Sequence, residues 1–198
     1  MSTNLAIQLK TVVVGFGTVG KSSMIITHHT KKFPQDYIPH NASDVVPSCM
    51  NCKHDGKTFE LEIVDTAGAE DYDRLRPIVY PGTDVFILLF DISGPSEAFA
   101  MLESHWFAEL QYHCPDVPVI LVASKIDLRD QKKCTITSHQ GRKMATSISA
   151  ACYLEISSKN GKGLNELFEE VLRIGYLNQV SSAAKLSKKC ILLWCALL

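Results

Sequence analysis

Eight residues constrain this chain more than any others: Gly15-Phe16-Gly17-Thr18-Val19-Gly20-Lys21-Ser22 matches GxxxxGK[ST] in full. The β-branched run Thr11 to Val14 precedes it, and Ser23 to Thr27 after it can open a helix. The sequence therefore predicts a strand, a tight glycine loop and a helix start, which is the setting a phosphate-binding loop needs. Glycines let the backbone curl with its N–H groups pointing inward at an anion, and the first helical turn adds its positive dipole end. In that frame Lys21 reaches the β- and γ-phosphates of a nucleotide, and the Ser22 hydroxyl is a magnesium ligand. Gly15, Gly17, Thr18, Val19, Gly20 and Ser23 complete the candidate cradle. The competing reading is a glycine-rich turn with a snorkelling lysine.

A chain of 198 residues, 46% hydrophobic and 21% charged, has enough apolar sequence for one core and little room for a second. One domain over residues 1–180 and a flexible tail over 181–198 are expected. A net charge of -1 gives no global reason for nucleic-acid binding. Met1 to Leu5 lack a signal pattern and no apolar run reaches bilayer length, so synthesis in the cytosol is expected. Seven cysteines there are expected as free thiols, and Cys49 and Cys52 form a lone CxxC without a second pair.

Short apolar or alternating runs predict strands over Leu5 to Val14, Lys57 to Val64, Val85 to Leu89, Val117 to Ala123 and Tyr153 to Ile156. Helices are predicted over Ser23 to Thr30, Ser96 to Gln111, Ser138 to Ser149 and Leu164 to Leu177. This alternation implies an α/β fold: a mostly parallel six-stranded sheet, helices on both faces, and ligand loops at the carboxyl ends of the strands. Val45 to Lys53 followed by Asp55-Gly56 signals a hairpin that adds one antiparallel edge strand.

Three more loops carry chemistry. Asp65-Thr66-Ala67-Gly68 follows a strand, so the Asp65 carboxylate can hold magnesium through water while the Gly68 N–H meets a γ-phosphate. In Ser124-Lys125-Ile126-Asp127, Asp127 can accept two hydrogen bonds from guanine, a pair that adenine does not offer. Ser157-Ser158-Lys159 supplies a backbone N–H for the guanine O6. Each alone also fits an ordinary turn.

Together, in this order, the four loops resemble the Ras superfamily of small GTPases. Asp71-Tyr72-Asp73-Arg74-Leu75-Arg76-Pro77-Ile78-Val79-Tyr80-Pro81, Phe33-Pro34-Gln35-Asp36-Tyr37-Ile38-Pro39 and Asp127-Leu128-Arg129-Asp130 make the chain similar to Rho and Rac proteins. The resemblance spans roughly Ile7 to Tyr176. It implies a monomeric switch that binds GTP or GDP with Mg²⁺, hydrolyses GTP, and holds effectors of cytoskeletal or membrane-traffic type only in the GTP state. It also implies that Phe33 packs on the guanine, that Tyr37 lies over the phosphates, and that Arg74 to Pro81 contact exchange factors and a dissociation inhibitor.

The chain departs from that pattern in four places. Ala69 stands where these GTPases carry the glutamine that orients the attacking water, so slow hydrolysis is expected. Glu70 is a poor substitute, because a carboxylate is repelled by the γ-phosphate. At the first switch, counting forward from Phe33 puts His40 where a magnesium-binding threonine belongs, whereas counting back from Asp55-Gly56 puts Ser43 there. Ser124 replaces an asparagine or threonine, which predicts a weaker link between base loop and phosphate loop. Between Asp130 and Gly141 the chain is too short for the extra helix of most Rho proteins.

The last four residues, Cys195-Ala196-Leu197-Leu198, read as a C-a-a-X box favouring a geranylgeranyl group on Cys195. Lys185, Lys188 and Lys189 add attraction to an anionic leaflet. Residence at the cytoplasmic face of the plasma membrane or an endomembrane, in exchange with the cytosol, is therefore expected. The alternative function is an interaction module on the same fold that is permanently loaded or nucleotide-free. An ATP-using kinase on this phosphate loop is disfavoured by Asp127.

Overall fold

The computed structural model describes residues 6–35, 48–131 and 133–195, with 48 and 185–195 described by backbone alone. Tyr37, His40 and Ser43 lie outside the described residues, and so does the Cys195 side chain.

Strand β1 (Ile7–Val14) owes its extended form to its β-branched run, and Thr11, Val12, Val13 and Val14 are fully buried. A strand buried on both faces belongs in the middle of a helix-covered parallel sheet. It pairs in parallel with β3 (Lys57–Asp65) and with β4 (Val85–Asp91). With β5 (Val119–Ser124), β6 (Cys152–Glu155) and the edge strand β2 (Ser48–His54), the order across the six-stranded sheet is β2-β3-β1-β4-β5-β6. Only β2 runs antiparallel, and Asp55 and Gly56, with φ of 47° and 72°, form the tight turn that reverses the chain. The mixed sheet with one antiparallel edge strand is the fold the sequence predicts.

Alternation along the strands divides two cores. Val13, Ile87 and Leu89 face α1 (Lys21–Thr30) and α5 (Leu164–Cys195), meeting Met24, Ile25, Leu167, Phe168 and Val171. Val12, Val14, Phe86 and Leu88 face the opposite layer, meeting Leu102, Trp106, Leu110 and Ala145. That layer consists of α2 (Ser96–Met101), a π-helical stretch Leu102–Phe107, α3 (Ala108–His113) and α4 (Ser138–Ser147). Thr137 and Gln140 close a reciprocal capping box at the start of α4.

Three elements differ from expectation. The helix expected over Ser96 to Gln111 widens into π turns at its centre, a local insertion that a 3.6-residue pattern does not reveal. β5 begins at Val119 rather than Val117, because Pro118 has no N–H for the ladder, although its carbonyl still accepts from the Phe86 amide at 2.9 Å. α5 does not stop at Leu177: its backbone stays helical to Cys195. Among the described residues, α4 is the next helix after the short turn Ile126–Leu128.

Candidate functional site

Five parallel strands end at one edge of the sheet, and the loops that leave them there build two adjoining cavities. Gly20 caps α1 in the left-handed region at φ 101°. Gly15, at φ 138°, lies so close to β4 that a Cβ there would meet the Leu89 carbonyl oxygen at 2.2 Å. The first cavity, about 400 Å³, is lined by Gly17, Thr18, Gly20, Lys21, Ser22 and Ser23 from the loop and first helical turn. Thr66, Ala67, Gly68, Ala69 and Tyr72 line its other side, with Pro34 and Lys125. Gly68 touches the loop itself: a Cβ on it would fall 2.4 Å from the Gly15 carbonyl oxygen and 2.5 Å from the Gly17 nitrogen.

The Lys21 ammonium donates to the Gly15 carbonyl at 2.7 Å and to the Phe16 carbonyl at 2.8 Å. Burial lowers its pKa to about 8, partly offset by the Asp65 carboxylate and aided by Arg76. A buried ammonium held inside a ring of inward-facing backbone is suited to an anion. Asp65 ends β3 and is only 8% exposed, while Thr66 donates to the Val13 carbonyl at 2.7 Å and ties that turn to β1.

The second cavity, about 340 Å³, shares Thr18, Gly20, Ser23 and Lys125 with the first, so the two form one trough. Val19, Phe33, Ser124, Asp127, Ser158 and Lys159 line it. Lys125, at φ 60°, is pinned by a 2.7 Å ion pair with Asp91 at the end of β4. Ser157 is fully buried and sits behind the cavity, donating its hydroxyl to Asp127 Oδ1 at 2.5 Å. It orients the Asp127 carboxylate and does not line the cavity wall. Ser124 links the two loops: its hydroxyl donates to the Val19 carbonyl at 2.7 Å, from base loop to phosphate loop, and lies 2.9 Å from the Phe90 carbonyl of β4.

A buried cluster that the sequence reading missed stands beside the first cavity. Arg76 is 4% exposed, and its guanidinium lies 4.1 Å from the centre of the Trp106 ring. It donates to Ala67 O at 3.2 Å, Asp73 Oδ1 at 2.7 Å, and both Glu109 carboxylate oxygens at 3.0 and 2.9 Å. Tyr80, 1% exposed, donates its hydroxyl to Glu109 Oε1 at 2.5 Å. Burial raises the Glu109 carboxyl, but its bonds from Arg76 and Tyr80 outweigh burial and leave its pKa below the ordinary value. Of the stretch Arg74 to Pro81, Leu75 and Ile78 are therefore exposed, whereas Arg76 and Tyr80 face inward.

A parallel sheet with a GxxxxGK[ST] loop at its carboxyl edge, and an adjoining cavity carrying Asp127, defines a phosphate-loop nucleotide-binding domain. Residues 10–176 match the model of the Ras family, and the chain belongs to that family. It is accordingly a small GTP-binding switch. Guanine-nucleotide binding with Mg²⁺, GTPase activity, and contacts with regulators and effectors are general properties of the family.

Proposed function

We propose that this Ras family protein is a Rho-like switch that hydrolyses GTP slowly and signals from a membrane. Ala69 carries the reading: it lines the phosphate cavity next to Gly68 and offers only a methyl group where water must be oriented. Lys21 balances γ-phosphate charge, with the Gly68 N–H beside it. Gly15, Gly17, Thr18, Val19, Gly20, Ser22 and Ser23 cradle the phosphates. Phe33, Ser124, Lys125, Asp127, Ser158 and Lys159 hold the base, supported by Ser157, and Tyr37 covers the phosphates.

The donor set fits magnesium. Ser22 at the first turn of α1 and Asp65 at the end of β3 supply hard oxygen atoms beside the cradle, and Ser43 suits the ion better than His40 because it too offers oxygen. The ion, when bound, neutralises charge on the phosphate oxygens. Rho-like character rests on the stretch Asp71 to Pro81, whose exposed Leu75 and Ile78 offer apolar contact to exchange factors, a dissociation inhibitor and effectors. No helix among the described residues is long and apolar enough to cross a membrane. A geranylgeranyl group on Cys195 together with Lys185, Lys188 and Lys189 is the anchor we assign; mass spectrometry of protein made in a prenylating cell should find a C20 isoprenoid there, and an unmodified Cys195 refutes it.

Single-turnover conversion of bound GTP to GDP tests the catalytic reading. A slow conversion that a GTPase-activating protein does not accelerate is expected. Rapid conversion overturns it, and no detectable conversion favours the alternative, a non-hydrolysing interaction module.

A further inference from the structure

We infer that Arg76 is a positioning residue that aims the Gly68 N–H at the third phosphate and thereby strengthens the hold on GTP without strengthening the hold on GDP. The inference rests on the nucleotide-site reading above and deepens it. Ala67 C=O and Gly68 N–H are two ends of one peptide unit, and no peptide bond in the described residues is cis. In a planar trans unit these two groups point in opposite directions. Whatever holds the carbonyl therefore aims the amide.

The Arg76 guanidinium holds it, donating Nη1–H to Ala67 O at 3.2 Å. Its Nε–H and both Nη2–H groups are committed to Glu109 and Asp73, and Trp106 backs its face, so three bonds and a ring hold the guanidinium against following a rotating carbonyl. A buried guanidinium held at Nε and Nη2 and stacked on a ring is a fixed point. Gly68 faces the phosphate cavity and lies against Gly15 and Gly17 of the loop, so the direction of its N–H is set where a terminal phosphate would sit. Glu109 lies on α3 and Tyr80 also bonds it, so the aim of one amide is referred to a helix on the far side of the cluster. GDP carries no third phosphate and gains nothing from that aim.

The test compares dissociation of a fluorescent non-hydrolysable GTP analogue with that of fluorescent GDP, in excess Mg²⁺, for the full chain and two variants. Arg76→Lys keeps the charge but lacks the fork that bridges Ala67, Asp73 and Glu109. Glu109→Gln sets an amide against Nη2 and loosens the fork from the other side. Loss of one charge-strengthened contact predicts dissociation of the GTP analogue accelerated on the order of tenfold, with GDP changed by less than about twofold. A merely structural role moves both rates together, and that outcome, or no change in either, overturns the inference. If Arg76→Lys does not fold, Glu109→Gln is judged by the same ratio. Wild-type protein that binds neither nucleotide refutes the site assignment, and the inference with it.

Discussion

In the proposed function Ala69 bears on turnover through what its side chain cannot do. Ala69 lines the phosphate cavity, but its methyl group has neither donor nor acceptor; Tyr72 and Lys125, which line the cavity further along the chain, carry hydrogen-bonding side chains. Ala69→Gln is expected to raise the single-turnover hydrolysis rate by about 10- to 100-fold, the scale on which misplacing a reactant costs rate. An unchanged rate means that some other residue positions the water. That Lys21, Ser22, Gly68 and Asp127 line one trough was legible because their motifs are local in sequence. Ser124 was legible only in part. Its type put the link between the loops in question, and only the fold brings the Val19 carbonyl within 2.7 Å of its hydroxyl. Arg76 and Glu109 were not legible as a pair: they lie 33 residues apart, and no periodicity relates a charge after β3 to one on α3.

Between elements, the contact of α1 with α5 carries a titration. The His28 ring on α1 stacks on Phe168 of α5 with centroids 3.7 Å apart. Burial, with the positive charges of Lys31 and His29, lowers its pKa from the ordinary 6.5 to about 4. The unfolded chain therefore takes up the proton first, and stability held above pH 6.5 falls as pH drops toward 4, levelling below that. His28→Phe keeps a ring on Phe168 but cannot titrate. Its melting temperature is expected to fall less than that of the wild type between pH 6.5 and 4, and parallel curves contradict the assignment to His28. The sheet was legible at this scale because β-branched runs and the Asp55-Gly56 turn are short-range signals. The π turns at Leu102–Phe107 and the continuation of α5 were not, since tertiary packing and helix propagation decide them.

For the whole molecule, the sheet brings four loops from distant parts of the chain to one edge, and α5 leads from the packed domain toward Cys195. Gln179 donates to the Gln8 carbonyl at 2.8 Å and Asn178 to the Asp84 carbonyl at 3.1 Å, fastening the helix to the starts of β1 and β4 before it runs on. The nucleotide trough and the proposed lipid site thus belong to one chain direction but to separate regions. The proposed function joins them: a loaded switch with impaired turnover, displayed at a membrane. The most direct measurement is the identity of the nucleotide released when freshly purified protein is denatured and the supernatant is resolved by anion-exchange chromatography. Ala69 predicts mostly GTP; mostly GDP would show that hydrolysis proceeds without a water-orienting glutamine and contradict the impaired-turnover reading.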